Sequence, residues 1–287
     1  MSGEAAARRG LDVSISAIRS VAIDAATSAG ELIRGGFRST LEVDSVGAHD
    51  LKLRLDRTCE ESIVSIIRRR FPAHGILSEE MGYAPGDDPY LWIVDPLDGT
   101  VNYFHGIPFF CTCVSCHAIH GANERNGSGG HPLLPDGRII GTAAAAAIYA
   151  PLGKELFVAT PDGGAFMNGK ELVLAPISSL SEAIVSLSFG ARDGSTAYMN
   201  RLLPSMIERA RKVRSLGSTA LEIVNVAVGR TGAFVQRGTN LWDFAAAAAI
   251  LNEAGGIVDR EEIAPGRWRI IATNPGLFSE VRQLAVG

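Results

Sequence analysis

A chain of 287 residues, 46% hydrophobic and 20% charged, has the composition of a folded globular protein and the length of one large domain or two fused ones. Its 31 acidic and 27 basic residues leave a net charge of −4, which offers no basic field to nucleic acid or to an anionic membrane surface. No run approaches the ~18 apolar residues of a membrane span, and Met1 to Gly10 has no apolar segment after it, so a cytoplasmic protein with a short mobile tail is expected.

Residues 12 to 35 place Val13, Ile15, Ile18, Val21, Ala22, Ala25, Ala29, Leu32 and Ile33 largely at helical spacing, and Gly35-Gly36 ends this amphipathic helix. A strand and a loop over 37 to 50 follow, with Gly47, His49 and Asp50 near the loop's end. A second helix runs from Asp56 to Phe71, with Asp56 as candidate N-cap and Glu60 one turn on. Gly75 to Glu80 reads as a short strand ending in paired glutamates, and Gly82 to Pro89 as the loop beyond it.

Tyr90 to Val94 is β-branched and aromatic, which predicts a buried strand that Asp95-Pro96 ends. Asp98-Gly99 is a turn signal leading into a helix at Thr100. Two carboxylates on one tight turn, beside a hydroxyl and the N–H groups of a helix start, suit a hard cation together with an anionic oxygen, such as a phosphate bridged by Mg²⁺. Taken alone, the same stretch also reads as a plain strand-to-helix turn with Asp98 as N-cap.

Strands follow at Phe109 to Ile119, Ile139 to Tyr149, Glu155 to Thr160, Gly164 to Met167 and Glu171 to Leu174, with a hairpin turn at Asn168-Gly169 and a long mobile loop at Gly121 to Gly137. Cys111, Cys113 and Cys116 lie inside an apolar strand without a second ligand pair, so buried reduced thiols are expected rather than zinc. Pro176 to Ser181 reads as a linker between an N-terminal half, 1–180, and a C-terminal α/β half, 181–287.

The second half alternates: strand Ile184 to Phe189, helix Thr196 to Arg209, strand Lys212 to Leu216, helix Ser218 to Val228, strand Ala233 to Gln236 and an alanine-rich helix Leu241 to Ala254. Gly217-Ser218-Thr219 sits at a strand-to-helix turn whose N–H groups suit hydroxyl or phosphate oxygens. Asp243 is either a charge matched to its helix macrodipole or a carboxylate aimed at the first-half site. Were Glu79, Asp95, Asp98 and Asp243 to converge, each like-charge pair at ~5 Å would cost roughly 3 kcal/mol at an effective dielectric of ~20. Such a cluster stays ionised only with cations, and oxygen-only ligands select Mg²⁺ or Mn²⁺ over zinc.

Three motifs in order, Gly75-Ile-Leu-Ser-Glu79-Glu80, then Trp92-Ile-Val-Asp95-Pro-Leu-Asp98-Gly-Thr100-Val-Asn102-Tyr-Phe, then Leu241-Trp-Asp243-Phe-Ala with Glu253-Ala-Gly-Gly256, resemble the inositol monophosphatase family across roughly residues 12 to 285. The resemblance implies an α+β or α/β chain folded as a layered αβαβα sandwich of the sugar phosphatase type, and a Mg²⁺-dependent, lithium-sensitive phosphatase. It implies a first metal among Glu79, Asp95, the Leu97 carbonyl and Thr100, a second among Asp95, Asp98 and Asp243, and a weaker third near the glutamate. Asp56 matches the aspartate that pairs with the threonine, which makes Glu79, Thr100 and Asp56 the catalytic group. Substrate would lie against Asp98, Gly99, Thr100, Gly217, Ser218, Thr219 and Gln236, and the chain would be a homodimer. The implied substrate is a small phosphate ester, foremost inositol 1-phosphate, with histidinol phosphate, fructose 1,6-bisphosphate and 3′-phosphoadenosine 5′-phosphate as alternatives. A role in binding the transcription machinery is the other class of function that the resemblance allows. This chain departs from the family pattern at Leu53, where a threonine is usual, in lacking a lysine between Val43 and His49, and at Gln236, where many inositol-selective members carry glutamate.

Overall fold

The structure is a computed structural model that describes residues 14–39, 43–46, 51–120, 134–135, 139–188 and 194–286. The expected features at Gly47, His49 and Asp50, and nearly all of the 121–137 loop, lie outside the described residues.

Alternation along the central strands builds the layers. In β5 (Tyr90–Asp98), Trp92 and Val94 point to one side and Leu91 and Ile93 to the other; in β6 (Cys111–His120), Val114 and Cys116 oppose Cys111 and Cys113. Both faces are apolar, so both must be covered. On the first face lie α1 (Ile15–Gly36) and α2 (Arg54–Arg70), packed through Ile18, Ala22, Ala25, Ala29, Ile63 and Ile67. On the second lie α5 (Thr219–Ala227) and α6 (Leu241–Glu253). α6 is apolar nearly all round because a second sheet covers its far side, and its run Ala245 to Ala249 lets both sheets approach.

The first sheet has eight strands in the order β10-β9-β8-β7-β6-β5-β3-β4, where β3 is Gly75–Ser78, β4 Gly82–Ala84, β7 Ile139–Ala150, β8 Glu155–Thr160, β9 Gly164–Met167 and β10 Lys170–Glu171. The second has five, β12-β11-β13-β15-β14, comprising β11 (Ile184–Ser188), β12 (Lys212–Arg214), β13 (Ala233–Thr239), β14 (Ile257–Ala264) and β15 (Arg267–Thr273). Its outer face carries α4 (Ser195–Arg209) and α7 (Phe278–Val286) over Val185, Leu187, Val235 and Ile271. The result is the layered αβαβα sandwich. A small hairpin of β1 (Val43–Val46) and β2 (Leu51–Leu53) precedes α2. All four cysteines are buried free thiols.

Several local expectations are corrected. β5 does not end at Asp95-Pro96 but continues to Asp98 through a bulge: Asp95 pairs with Cys113 and Asp98 with Cys111, so Pro96 and Leu97 share Thr112. A bulge is where a strand tolerates a proline, and the Thr112 hydroxyl donates to the Pro96 carbonyl at 3.0 Å. Asp56 is not the N-cap of α2. It stands in the first turn and its Oδ2 accepts the Leu53 N–H at 2.8 Å. The strand expected over Glu171 to Leu174 is only Lys170–Glu171, beyond a turn with Asn168 and Gly169 both at positive φ. Lys212 to Leu216 is strand only to Arg214. The loop expected over Gly82 to Pro89 begins with β4, antiparallel to β3.

Candidate active site

The β5 bulge sets the first two carboxylates. Because Pro96 has no N–H, the chain turns on Asp95, whose Oδ1 accepts the Leu97 N–H at 3.0 Å. Gly99 then adopts a left-handed conformation, φ 94°, and starts the short helix α3 (Thr100–Phe104). A Cβ there would stand 3.0 Å from the Phe109 carbonyl, so glycine is required on both counts. Thr100 Oγ1 donates to the Leu97 carbonyl at 2.9 Å. The bulge, the hydroxyl and that carbonyl form one hydrogen-bonded turn.

Asp98 does not cap α3. Its Oδ2 accepts the Ser218 hydroxyl at 2.5 Å and the Ala220 N–H at 2.8 Å, and its Oδ1 the Thr219 N–H at 3.2 Å. It thus supplies a negative charge to the start of α5, 120 residues away in sequence. The N–H groups expected to face a ligand are held by this carboxylate instead. Thr219 Oγ1 donates to Gln236 Oε1 at 2.8 Å, which joins β13 to the same site.

The third aspartate is fixed at the entry of α6. Asp243 Oδ2 accepts from the Thr239 hydroxyl at 2.7 Å and the Asn240 N–H at 2.8 Å. Glu79 follows β3, in a turn that buried Glu60 of α2 holds through the N–H groups of Glu80 and Met81. Asp56, buried beneath α3, lies close enough to Tyr103 to help raise its hydroxyl.

Electrostatics shows what these elements bring together. Burial, then the charges of Glu79, Asp98 and Asp243, drive the Asp95 carboxyl well above the usual carboxylate range. Burial and the charge of Asp243 raise Asp98 to about 7 despite the Ser218, Ala220 and Thr219 hydrogen bonds that pull it down. Burial raises Asp243, against the opposing pull of Asn240, Thr239 and Arg267. Among the described residues, no three acidic, histidine or cysteine side chains already stand at a spacing that holds a metal ion. In donor chemistry the group fits a hard divalent cation: every ligand is oxygen, and no hydrogen bond among the described residues uses Asp95 Oδ2 or Asp243 Oδ1.

Two further residues shape the site through partners that local sequence does not reveal. Asn102 Nδ2 donates to both Phe109 O, 2.9 Å, and Leu216 O, 2.7 Å, clamping α3 against the turn before α5. A Cβ on Gly217, φ 86°, would meet that amide at 3.0 Å. Fully buried Glu222 accepts the Leu216 N–H at 3.0 Å, and burial raises its carboxyl to about 8. The asparagine beside Thr100 was visible in the motif, but its partner was not.

Comparison with known proteins places this geometry. The chain is 34% identical to a protein named Inositol monophosphatase 1 from Solanum lycopersicum, covering 92% of this chain and 94% of that one. It is also 34% identical to a Nus factor SuhB from Pseudomonas aeruginosa, covering 83% of each. Among solved structures, an extragenic suppressor protein SuhB from Bartonella henselae superposes with a TM-score of 0.81 at 27% identity over 94% of this chain and 98% of that one. An inositol monophosphatase from Anabaena gives 0.72 at 29% identity, covering 94% of this chain and 95% of that one. With residues 14–120 and 139–284 matching the family described by that activity, the chain belongs to the inositol monophosphatase family.

Proposed function

We propose that this protein is a Mg²⁺-dependent phosphomonoesterase of small polyol or sugar phosphates, with inositol 1-phosphate the foremost substrate. One observation carries the reading: Asp95 is buried within reach of the charges of Glu79, Asp98 and Asp243, and burial first, then those charges, lift it well above the usual carboxylate range. A fold keeps such a group only where something positive is bound.

The residues that would hold Mg²⁺, or Mn²⁺, are Glu79, Asp95, Asp98, Asp243 and the Leu97 carbonyl, in two or three positions. Bound there, the cations supply charge that neutralises phosphoryl oxygens and acidifies water. The protein's own groups do the rest. Glu79 and the Thr100 hydroxyl, with Asp56 behind it, orient the attacking water. The backbone of Gly99 and Thr100 receives the phosphate, while Gln236 holds the alcohol part; Gly217, Ser218 and Thr219 act through Asp98 and Gln236, whose carboxylate and amide oxygen their turn already engages. Gln236 accepts from Thr219 and keeps two amide donors, so it reads hydroxyls without charge. The reading includes a homodimer.

The test is phosphate release from inositol 1-phosphate with Mg²⁺, with and without lithium, for the native chain and Asp95→Asn. Lithium-sensitive release that falls by about a thousandfold or more in the variant is expected, the size of a lost transition-state charge interaction. No release from folded, Mg²⁺-binding native protein, on this ester or the alternatives, overturns the reading.

A second reading rests on the relatives named Nus factor SuhB: that the chain's main role is to bind a protein partner in transcription. Asp95→Asn separates the two, since a folded variant that keeps the cellular role while losing hydrolysis favours binding.

A further inference from the structure

Away from the carboxylates, β6, β7, β8, β14 and the body of α6 enclose a cleft of about 430 Å³ that contains none of the site residues described above. Ala143, Ala159, Ala245, Ala248 and Ala249 form its walls, and their single methyl groups leave the space open between the two sheets. Hydrocarbon is the natural filling for such walls.

Arg260 is set into this apolar lining. It pairs with Ile270 of β15 and shares the α6-facing side of β14 with Val258, which packs on the α5–α6 cluster. Other charged residues of these two strands have partners: Arg269 meets Glu261 at 2.7 Å, and Asp259 meets Arg282 at 3.0 Å. Arg260 has no ion pair or hydrogen bond among the described residues, and burial alone pulls its guanidinium down. Two carboxylates also border the cleft, Glu253 and Asp162; Glu253 accepts the Gly164 N–H at 3.2 Å, and neither pairs with Arg260.

His117 also lines the cleft, as do the neutral polar side chains of Thr142, Thr160 and Asn252. Its Nδ1–H donates to the Gly141 carbonyl at 3.2 Å; burial lowers the ring to about 4 and keeps it neutral, so its Nε2 accepts from the Ser115 hydroxyl at 3.0 Å. The ring therefore adds no charge, and among the described lining residues the Arg260 guanidinium is the cation, beside the carboxylates of Asp162 and Glu253. Arg260 is half-buried, so its guanidinium is only partly withdrawn from water, and a bound anion would offset that partial cost. Its five donors in a flat fork match a carboxylate in two-pronged fashion.

We propose that this cleft is a second, non-catalytic ligand site for a small organic carboxylate, with Arg260 gripping the carboxylate and the alanine walls holding its hydrocarbon. The site stands independently of the phosphatase reading, because it shares no residue with it.

The probe is hexanoate, titrated into the full chain without divalent metal and followed by the imidazole NMR signal of His117, with hexanol as the neutral control. Saturable hexanoate binding that shifts this signal is expected. Hexanol, and the Arg260→Met variant with hexanoate, should bind at least about tenfold more weakly, the loss of one charge-assisted hydrogen-bonded contact. Asp95→Asn should bind hexanoate as the native chain does. The proposal is overturned if hexanoate shows no saturable binding, if Arg260→Met binds it equally well, or if Asp95→Asn abolishes it. Should Arg260→Met fail to fold, Arg260→Lys decides: it keeps the charge but not the fork, and undiminished binding there overturns the proposal.

Discussion

The two ends of β5 bury ionisable groups in opposite ways. At its start, His74 lies fully buried between the rings of Phe71, 4.5 Å, and Tyr90, 5.1 Å, and its Nδ1 accepts the Trp92 indole N–H at 3.0 Å. An indole can only donate, so the imidazole carries its proton on Nε2 and is neutral; burial first, and then the charge of Arg68, lowers it to about 4 against the upward pull of Asp88. At its end, Asp95 and Asp98 are buried beside Glu79 and Asp243, and ionisation is opposed by neighbours of the same sign. The first arrangement is neutral, its Nδ1 satisfied and its buried Nε2–H left 3.8 Å from the Asp88 carboxylate without a hydrogen bond, whereas the second gathers like charges that a cation would offset. Burial alone therefore does not mark a functional group; what marks it here is buried like charge that the protein's own partners leave uncompensated.

The largest expected effect contrasts the two ends directly. His74→Ala leaves the Trp92 N–H without its acceptor and opens a hole in an aromatic stack, so it should cost about 3 kcal/mol or more in urea unfolding. Asp95→Asn, measured without divalent metal, removes one charge from a repelling set and should leave stability unchanged or raise it by about 1–2 kcal/mol. A destabilising Asp95→Asn together with a neutral His74→Ala would erase the distinction.

Acidity should sharpen it further, with opposite slopes from the two ends. His74 is held near 4 in the fold against 6.5 as its ordinary value, so the unfolded chain binds the proton more readily. Its contribution is full above about 6.5 and is lost as pH falls toward about 4, amounting to roughly 3 kcal/mol at most. Asp98, raised to about 7, works the other way: protonation favours the metal-free fold, and its contribution is lost as pH rises from about 4 toward 7. Urea midpoints across this range should fall more steeply toward acid in Asp98→Asn than in the native chain. His74→Gln should do the reverse, leaving midpoints that rise toward acid through Asp98.

Much of this was legible in the chain. The β-branched and aromatic run Tyr90 to Val94, the apolar run Phe109 to Ile119, and period 3.6 in Ile18 to Ile33 gave the central strands of the first sheet and an outer helix. The hairpin of β14 and β15 and the helix α7 were not anticipated. Arg260, Glu261, Glu262, Arg267 and Arg269 interrupt any apolar pattern there, and only the pairing of Glu261 with Arg269 across the strands explains why charge is tolerated. The aspartates announced themselves through Pro96 and Gly99. Their partners did not, because Asn102 meets Leu216 across 114 residues and Asp98 meets Ser218 across 120. Hydrogen bonds of that span leave no trace in local spacing.

Ser218 offers the smallest effect on stability and the finest test of the comparison. Its hydroxyl donates to Asp98 and accepts the Leu221 N–H at 3.3 Å, so one atom both caps α5 and aims a carboxylate of the site. As a cap alone, Ser218→Ala should cost about 1 kcal/mol and leave the Mg²⁺ requirement of phosphate release unchanged. As the support of a metal-binding carboxylate, the same change should also raise the Mg²⁺ needed for half-maximal release by about tenfold, and Ser218→Thr should restore it. We expect the second pattern, because Asp98 at about 7 is already held in its charged form only by the three donors of this turn. An unchanged Mg²⁺ requirement beside the lost stability would show that Asp98 belongs to the start of α5 rather than to the metal, and would move it to the structural kind of burial that His74 represents.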